Sequence, residues 1–123
     1  MPDRFPILFT GPNKAMIVLG ILPSRSFVEV DEREVRVRMS WAFGLTMPRS
    51  SVTGVAPDRG RFIGWGAHGW RGEWLVNGSM KNIVRIDIDP PARGRTMMFP
   101  LRVRVLRVSV ADPAGLMAAL TPR

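Results

Sequence analysis

The chain contains no cysteine, which excludes disulfide, thiolate and iron–sulfur chemistry from its own side chains. That lack fits a reducing compartment. Histidine occurs once, at His68, with no second histidine or nucleophile motif beside it to suggest a triad or a metal cluster. Lysine occurs only at positions 14 and 81, so sixteen of the eighteen basic residues are arginine, a skew that reads as genome composition before it reads as function. Long apolar runs are also missing. Residues 15–22 are apolar apart from Gly20, but a spanning helix needs about twenty such residues. The opening residues, MPDRFPILFTGPNK, place Asp3 beside Arg4 and cut the apolar run with Gly11, Pro12 and Asn13, a poor match to a signal peptide. The expectation is a cytoplasmic protein with no transmembrane segment.

What is abundant is positive charge. Eighteen basic residues against ten acidic ones give a formal charge of +8, enough to attract anionic surfaces in general without defining a site. At 123 residues the chain suits a single domain with one continuous core.

Short alternating segments dominate the pattern. Residues 1–13, rich in proline and glycine, read as an N-terminal arm, and residues 14–121 as one domain. Residues 16–22 and 27–30 read as strands. In EVRVRM, Val35, Val37 and Met39 alternate with Glu34, Arg36 and Arg38, which sends the apolar set to one face. Asp31, Glu32 and Arg33 before it suit a hairpin turn. Further strands are expected over 41–47, 51–55, 73–76 and 83–88. Pro90 and Pro91 are expected to end the last of these, with Arg93, Gly94 and Arg95 in the loop that follows. Residues 61–72 are dense in glycine and read as irregular, and Asn77-Gly78 reads as a turn.

The final strand changes phase. Leu101, Val103 and Val105 are apolar at odd positions, then Leu106, Val108 and Val110 at even ones. A period of two cannot absorb that change without a bulge or bend near Val105. Asp112 and Pro113 then suit the N-cap and first position of a two-turn helix that places Leu116, Met117 and Leu120 on one side. So short a helix must lie on a sheet or plug an open end. These elements predict a mainly β fold: a compact antiparallel barrel or sandwich of about seven short strands with a C-terminal capping helix.

The stretches FVEVDEREVRVRM, PRSSV and LRVSVADPAGLMAAL resemble the early strands and the last strand plus helix of small bacterial pleckstrin-homology-like (PH-like) domains. The resemblance spans residues 14–120 and implies two bent antiparallel sheets closed by the helix. It also implies kinship with actinobacterial proteins, which would suit the arginine skew and brings no activity with it. Lipid-binding members of the superfold carry several basic residues in the loop between their first two strands, whereas the matching region here, residues 22–25, has Arg25 alone.

The site candidates are few. Gly64, Gly66 and Gly69 match GxGxxG, but a dinucleotide fingerprint must open a helix and the residues that follow read as a strand. Asp87 and Asp89 share a strand face with Arg85, which reads as a solvated, salt-bridged surface. Asn77-Gly78-Ser79 fits a glycosylation pattern whose turn role suffices. Among Trp41, Trp65, Trp70 and Trp74, a core or barrel-mouth packing role is the plain reading. The functional one is that Trp65 and Trp70, beside Arg61 and Arg71, form an aromatic–basic lip. The expected function is a non-catalytic binding or protein-interaction module, with a protein partner or self-association through that lip. The alternative is binding of nucleic acid or an anionic membrane through Arg36, Arg38, Arg102, Arg104 and Arg107. No cofactor, metal or catalytic residue is expected.

Overall fold

A computed structural model describes residues 3–8, 25–58, 66–77, 79, 81–97 and 99–121, with the side chains of residues 66–68 and 70 outside that description. The strand expected over 16–22 also lies outside the described residues. Nine strands and one helix follow in chain order: β1 (Asp3–Pro6), β2 (Ser26–Val30), β3 (Glu34–Met39), β4 (Phe43–Pro48), β5 (Val52–Pro57), β6 (Gly66–Trp70), β7 (Glu73–Asn77), β8 (Ile83–Thr96), β9 (Phe99–Ser109) and α1 (Pro113–Leu120). They form one curled sheet in the order β1-β2-β3-β4-β8-β9-β7-β6, with β5 on β8.

The fold is mainly β with a C-terminal helix, as the alternation predicts. Val35, Val37, Ile86 and Val108 are all buried, and the core runs continuously from Phe5 to Leu120. The β2–β3 hairpin forms where expected. Its turn is held by the Asp31 carboxylate, whose Oδ1 accepts the backbone N–H groups of Arg33 and Glu34, both at 2.8 Å. The capped helix also forms: Asp112 accepts from the Gly115 N–H at 3.0 Å, Pro113 opens the helix, and Leu116 and Leu120 are buried against the sheet. Arg49, in the 3-10 turn between β4 and β5, donates to the Ala119 carbonyl, which places a cation at the negative end of the helix.

Three details differ from expectation. The ladder is not wholly antiparallel, because β7 pairs parallel with β9, from Glu73 opposite Val105 to Val76 opposite Val108. In that order β9 lies between β7 and β8, and Gly78 of the expected Asn77-Gly78 turn lies outside the described residues. The N-terminal residues contribute β1, an edge strand on β2. Finally, Pro90 and Pro91 do not end β8. The register with β9 jumps from Asp87–Val105 to Ala92–Val103, so the prolines occupy a bulge where no ladder N–H is required. The first half of β8 then pairs with β5 and the second with β4, which bends the sheet.

Candidate functional site

The alternation of β3 sends Arg36 and Arg38 to the outer face, and the strand pairing decides what they meet there. Arg36 lies opposite Glu29 of β2 and Thr46 of β4, and Glu29 lies opposite Arg4 of β1. In the next outward row Arg38 lies between Phe27 and Gly44, and Gly44 lies opposite Arg95 of β8. Because β8 continues past the prolines, Arg93 and Arg95 stand on this same face. Arg93 in turn faces Arg102 of β9. Arg4, Arg36, Arg38, Arg93 and Arg95 line an open groove of about 520 Å³.

The two ends of the groove differ in charge balance. On the β1 side, Arg4 donates to Glu29 at 2.8 Å and stacks over Phe27 at 4.1 Å, while Arg36 is ion-paired with Glu34 and reaches Glu29 at 3.5 Å. The hydrogen bond to Glu34 is the main reason the Arg36 pKa is raised. On the β8 side, among the described residues, no carboxylate pairs with Arg38, Arg93, Arg95 or Arg102. Arg38 donates from Nε to the Ser40 carbonyl at 3.3 Å, and Arg95 from Nη1 to the Met97 carbonyl at 3.2 Å. Between them Gly44 carries no side chain, so backbone forms the floor. Two strand spacings set their Cα atoms about 10 Å apart. Guanidinium groups on either side of a bare floor can close on a phosphoryl group, each offering paired N–H donors.

The expected arginine footprint therefore divides. Arg36, Arg38 and Arg102 belong to the outer face just described, but Arg104 and Arg107 belong to a different, neutralised cluster. The phase change explains it: Val105 and Leu106 are both buried, so Arg104 at an even position and Arg107 at an odd one both point outward and reach Glu73, at 2.9 and 3.1 Å. Arg107 also bonds Asp58 at 2.8 Å, and Arg85 pairs with Asp87 at 3.0 Å. Burial by itself would lower the Arg107 pKa, but the hydrogen bonds that it donates to Asp58 and Glu73 outweigh it and raise the value. Three cations here meet three carboxylates, which leaves no net charge to offer a ligand. The Asp87 side of the expected salt-bridged surface thus holds.

The Glu73 carboxyl is held below the usual carboxylate range, first by its hydrogen bond from Arg107. The Asp31 carboxyl is lowered in the same direction by the backbone N–H groups of its turn, that of Glu34 first. A folded-state pKa below the unfolded one contributes stability above the unfolded value, and that contribution is lost as pH falls through the folded value. Melting temperature is accordingly expected to fall between pH 5 and lower pH, and Glu73→Gln to show a shallower acid limb that retains the Asp31 part. Thermal unfolding followed by circular dichroism from pH 7 downward checks this.

The aromatic–basic lip cannot be assembled from the described residues: Arg61 and Trp65 lie outside them, as does the side chain of Trp70. Arg71 is exposed in the β6–β7 turn, where its carbonyl accepts from Arg104 at 3.1 Å. Trp74 packs inward, 6.1 Å from Phe43 between ring centroids, and Trp41 is exposed at the β3–β4 turn. The GxGxxG match ends in β6 and not in a helix, and the His68 side chain lies outside the described residues. Among the described residues no three His, Asp or Glu side chains converge to hold a metal ion, and no helix is long and apolar enough to cross a membrane.

Sequence reasoning missed Arg4, Arg93 and Arg95. A signal for the last two was present: Arg36-Val37-Arg38, Arg93-Gly94-Arg95 and Arg102-Val103-Arg104 repeat the same arginine spacing, which is the period of a strand. No family model, no curated protein sequence and no solved structure matches the chain.

Proposed function

We propose that the protein is a non-catalytic binding module whose outer sheet face recognises a phosphorylated, polyanionic ligand. The observation that carries this reading is the Arg38–Gly44–Arg95 row, two arginines with no carboxylate partner among the described residues across a side-chain-free floor, extended by Arg93 and Arg102. It is preferred to a protein-interaction role for the aromatic lip because the arginines are placed and the lip is not. A cytoplasmic setting and kinship with PH-like bacterial domains belong to the same proposal. The kinship is supported by the capped helix on a curled sheet. The parallel β7–β9 pair lies outside the antiparallel pattern that kinship implies.

The test is titration with short-chain polyphosphate at several salt concentrations. Binding should be measurable at low salt and should weaken steeply as salt rises, because each neutralised phosphoryl charge releases a counterion. Absence of binding at low salt would remove the reading.

A further inference from the structure

The groove opens at one end onto an apolar tip. Trp41, Met97 and Phe99 are the large hydrophobic side chains exposed among the described residues, at 45%, 49% and 69%. They are separated by up to 58 positions in sequence, yet the pairing brings them together. Phe43 lies opposite Thr96, and the Met97 N–H and the Thr96 hydroxyl both donate to the Ala42 carbonyl, at 2.9 and 3.0 Å. The β3–β4 and β8–β9 turns therefore form one protrusion. Phe99 continues the inward series Val103 and Leu101 past the end of the core formed by the described residues, and it is left exposed.

A collar of positive charge surrounds this protrusion. Arg38 and Arg95 hydrogen-bond the carbonyls of the turn residues Ser40 and Met97, which draws both guanidinium groups toward the tip. Arg25 joins them, since its carbonyl accepts the Ser40 N–H at 2.9 Å and its side chain is exposed. Acidic residues gather at the opposite end of the same strands, where Asp31, Glu32 and Glu34 make the β2–β3 turn. That end is charge-balanced, because Arg33 stands in the same turn and Arg36 pairs with Glu34, so the cations without a carboxylate partner among the described residues lie toward the apolar end.

We propose that this tip docks on the surface of an anionic lipid bilayer, with Trp41, Met97 and Phe99 entering the interface and Arg25, Arg38 and Arg95 meeting lipid phosphates. The inference rests on the polyanion reading of the groove and names its ligand as a membrane surface. Depth is the reason to favour it. Arg95 is two residues behind Met97 and Arg38 three behind Trp41, and because the chain already turns at 40–42 and at Met97, the arginine backbones lie at most about 7 to 10 Å behind the tip. An interfacial element buries its apolar part about 5 to 10 Å, so the charges arrive at headgroup level as the rings reach the acyl boundary. In a groove built for bases the aromatic rings would be interleaved with the arginines as free stacking platforms. Here the aromatic within the groove, Phe27, is covered by Arg4, and the exposed rings stand beyond its end.

The experiment compares co-sedimentation of the full chain with vesicles of phosphatidylcholine alone and of phosphatidylcholine mixed with phosphatidylglycerol, alongside polyphosphate and single-stranded RNA as soluble probes. The expected result is binding to the anionic vesicles and not to those of phosphatidylcholine alone, with polyphosphate also bound at low salt. A Trp41→Ser, Met97→Ser, Phe99→Ser variant should lose vesicle affinity by roughly 30-fold or more, given the apolar area withdrawn, with polyphosphate affinity changed by less than about twofold. Phe99→Ser alone, at a position too exposed to unfold the chain, should move vesicle binding in the same direction. Polyphosphate binding without vesicle binding would overturn the membrane inference and leave the groove reading standing, whereas failure of every probe would overturn both. RNA binding that falls in the tip variant would assign the rings to base stacking and overturn the inference. A melting temperature lowered by several degrees in the triple variant would show that the protein itself covers the tip, with the same consequence.

Discussion

Replacing Arg38 and Arg95 together by glutamate is expected to weaken polyphosphate binding at low salt by roughly 100-fold or more. Removing one charged donor from a phosphoryl contact costs about 1.5 to 3 kcal/mol, and every 1.4 kcal/mol is tenfold in affinity, so two removals reach this range before any repulsion from the new carboxylates. The slope of affinity against salt should fall by about two, one for each lost contact. Neither side chain is needed by the fold: both are exposed, and each bonds only a turn carbonyl. The matched control is Arg104→Ala. Arg104 is committed to Glu73 and the Arg71 carbonyl, so its loss should change affinity by less than about threefold. Arg38→Ala changes the net charge by the same single unit as Arg104→Ala, and an equal loss in these two single variants would mean that the ligand responds to overall charge and that the groove has no special part in binding. Titration calorimetry on both, with melting curves to confirm folding, separates these outcomes.

The division between the two arginine groups also measures how far the sequence could be read. The EVRVRM alternation placed Arg36 and Arg38 outward with no further information, because a strand has only two faces and Val35, Val37 and Met39 claim one of them. The phase change at Val105-Leu106 was equally legible as a bend. Its consequence was not, because the extra residues belong to the partner strand, between Asp87 and Ala92, and pairing partners are not written in a single segment. That bulge is also why Pro90 and Pro91 misled. Proline ends a strand when the ladder needs its N–H, and here the ladder skips these positions. With β8 read as ended, Arg93 and Arg95 fell into a loop and half of the groove disappeared. The β6 strand was missed for a related reason. Its glycines suggest irregularity, but a Cβ at Gly69 would sit 2.4 Å from the Glu73 carbonyl oxygen and 2.6 Å from the Trp74 ring, so this glycine serves close packing within a strand.

Glycine chemistry separates fold from function at the groove itself, where two glycines on neighbouring strands face opposite ways. Gly94 faces inward, and a Cβ there would lie 2.7 Å from the Gly44 carbonyl oxygen and 3.0 Å from Leu45 Cδ1. Backbone cannot yield as a side-chain end can, so Gly94→Ala must pry β8 from β4. Only Phe43–Thr96, Gly44–Arg95 and Leu45–Gly94 pair these two strands, and this short ladder, with the Ile7–Val110 bridge at the other edge, joins the β1–β4 part of the sheet to the rest. The expected cost is about 2 to 3 kcal/mol, the range of an overpacked core, or roughly 10 °C in melting temperature for a domain of this size. Gly44 faces outward, where an added Cβ would meet Arg95 Nε at 3.5 Å, an ordinary contact with a flexible side chain. Gly44→Ala should therefore melt within about 2 °C of the parent. Its methyl group would still stand on the groove floor between Arg38 and Arg95, so polyphosphate affinity should fall by several-fold with the fold intact. A Gly94→Ala protein as stable as the parent would show that β4 and β8 do not approach so closely. A Gly44→Ala protein with unchanged affinity would show that the ligand never reaches the floor, and that the arginines grip it from the rim.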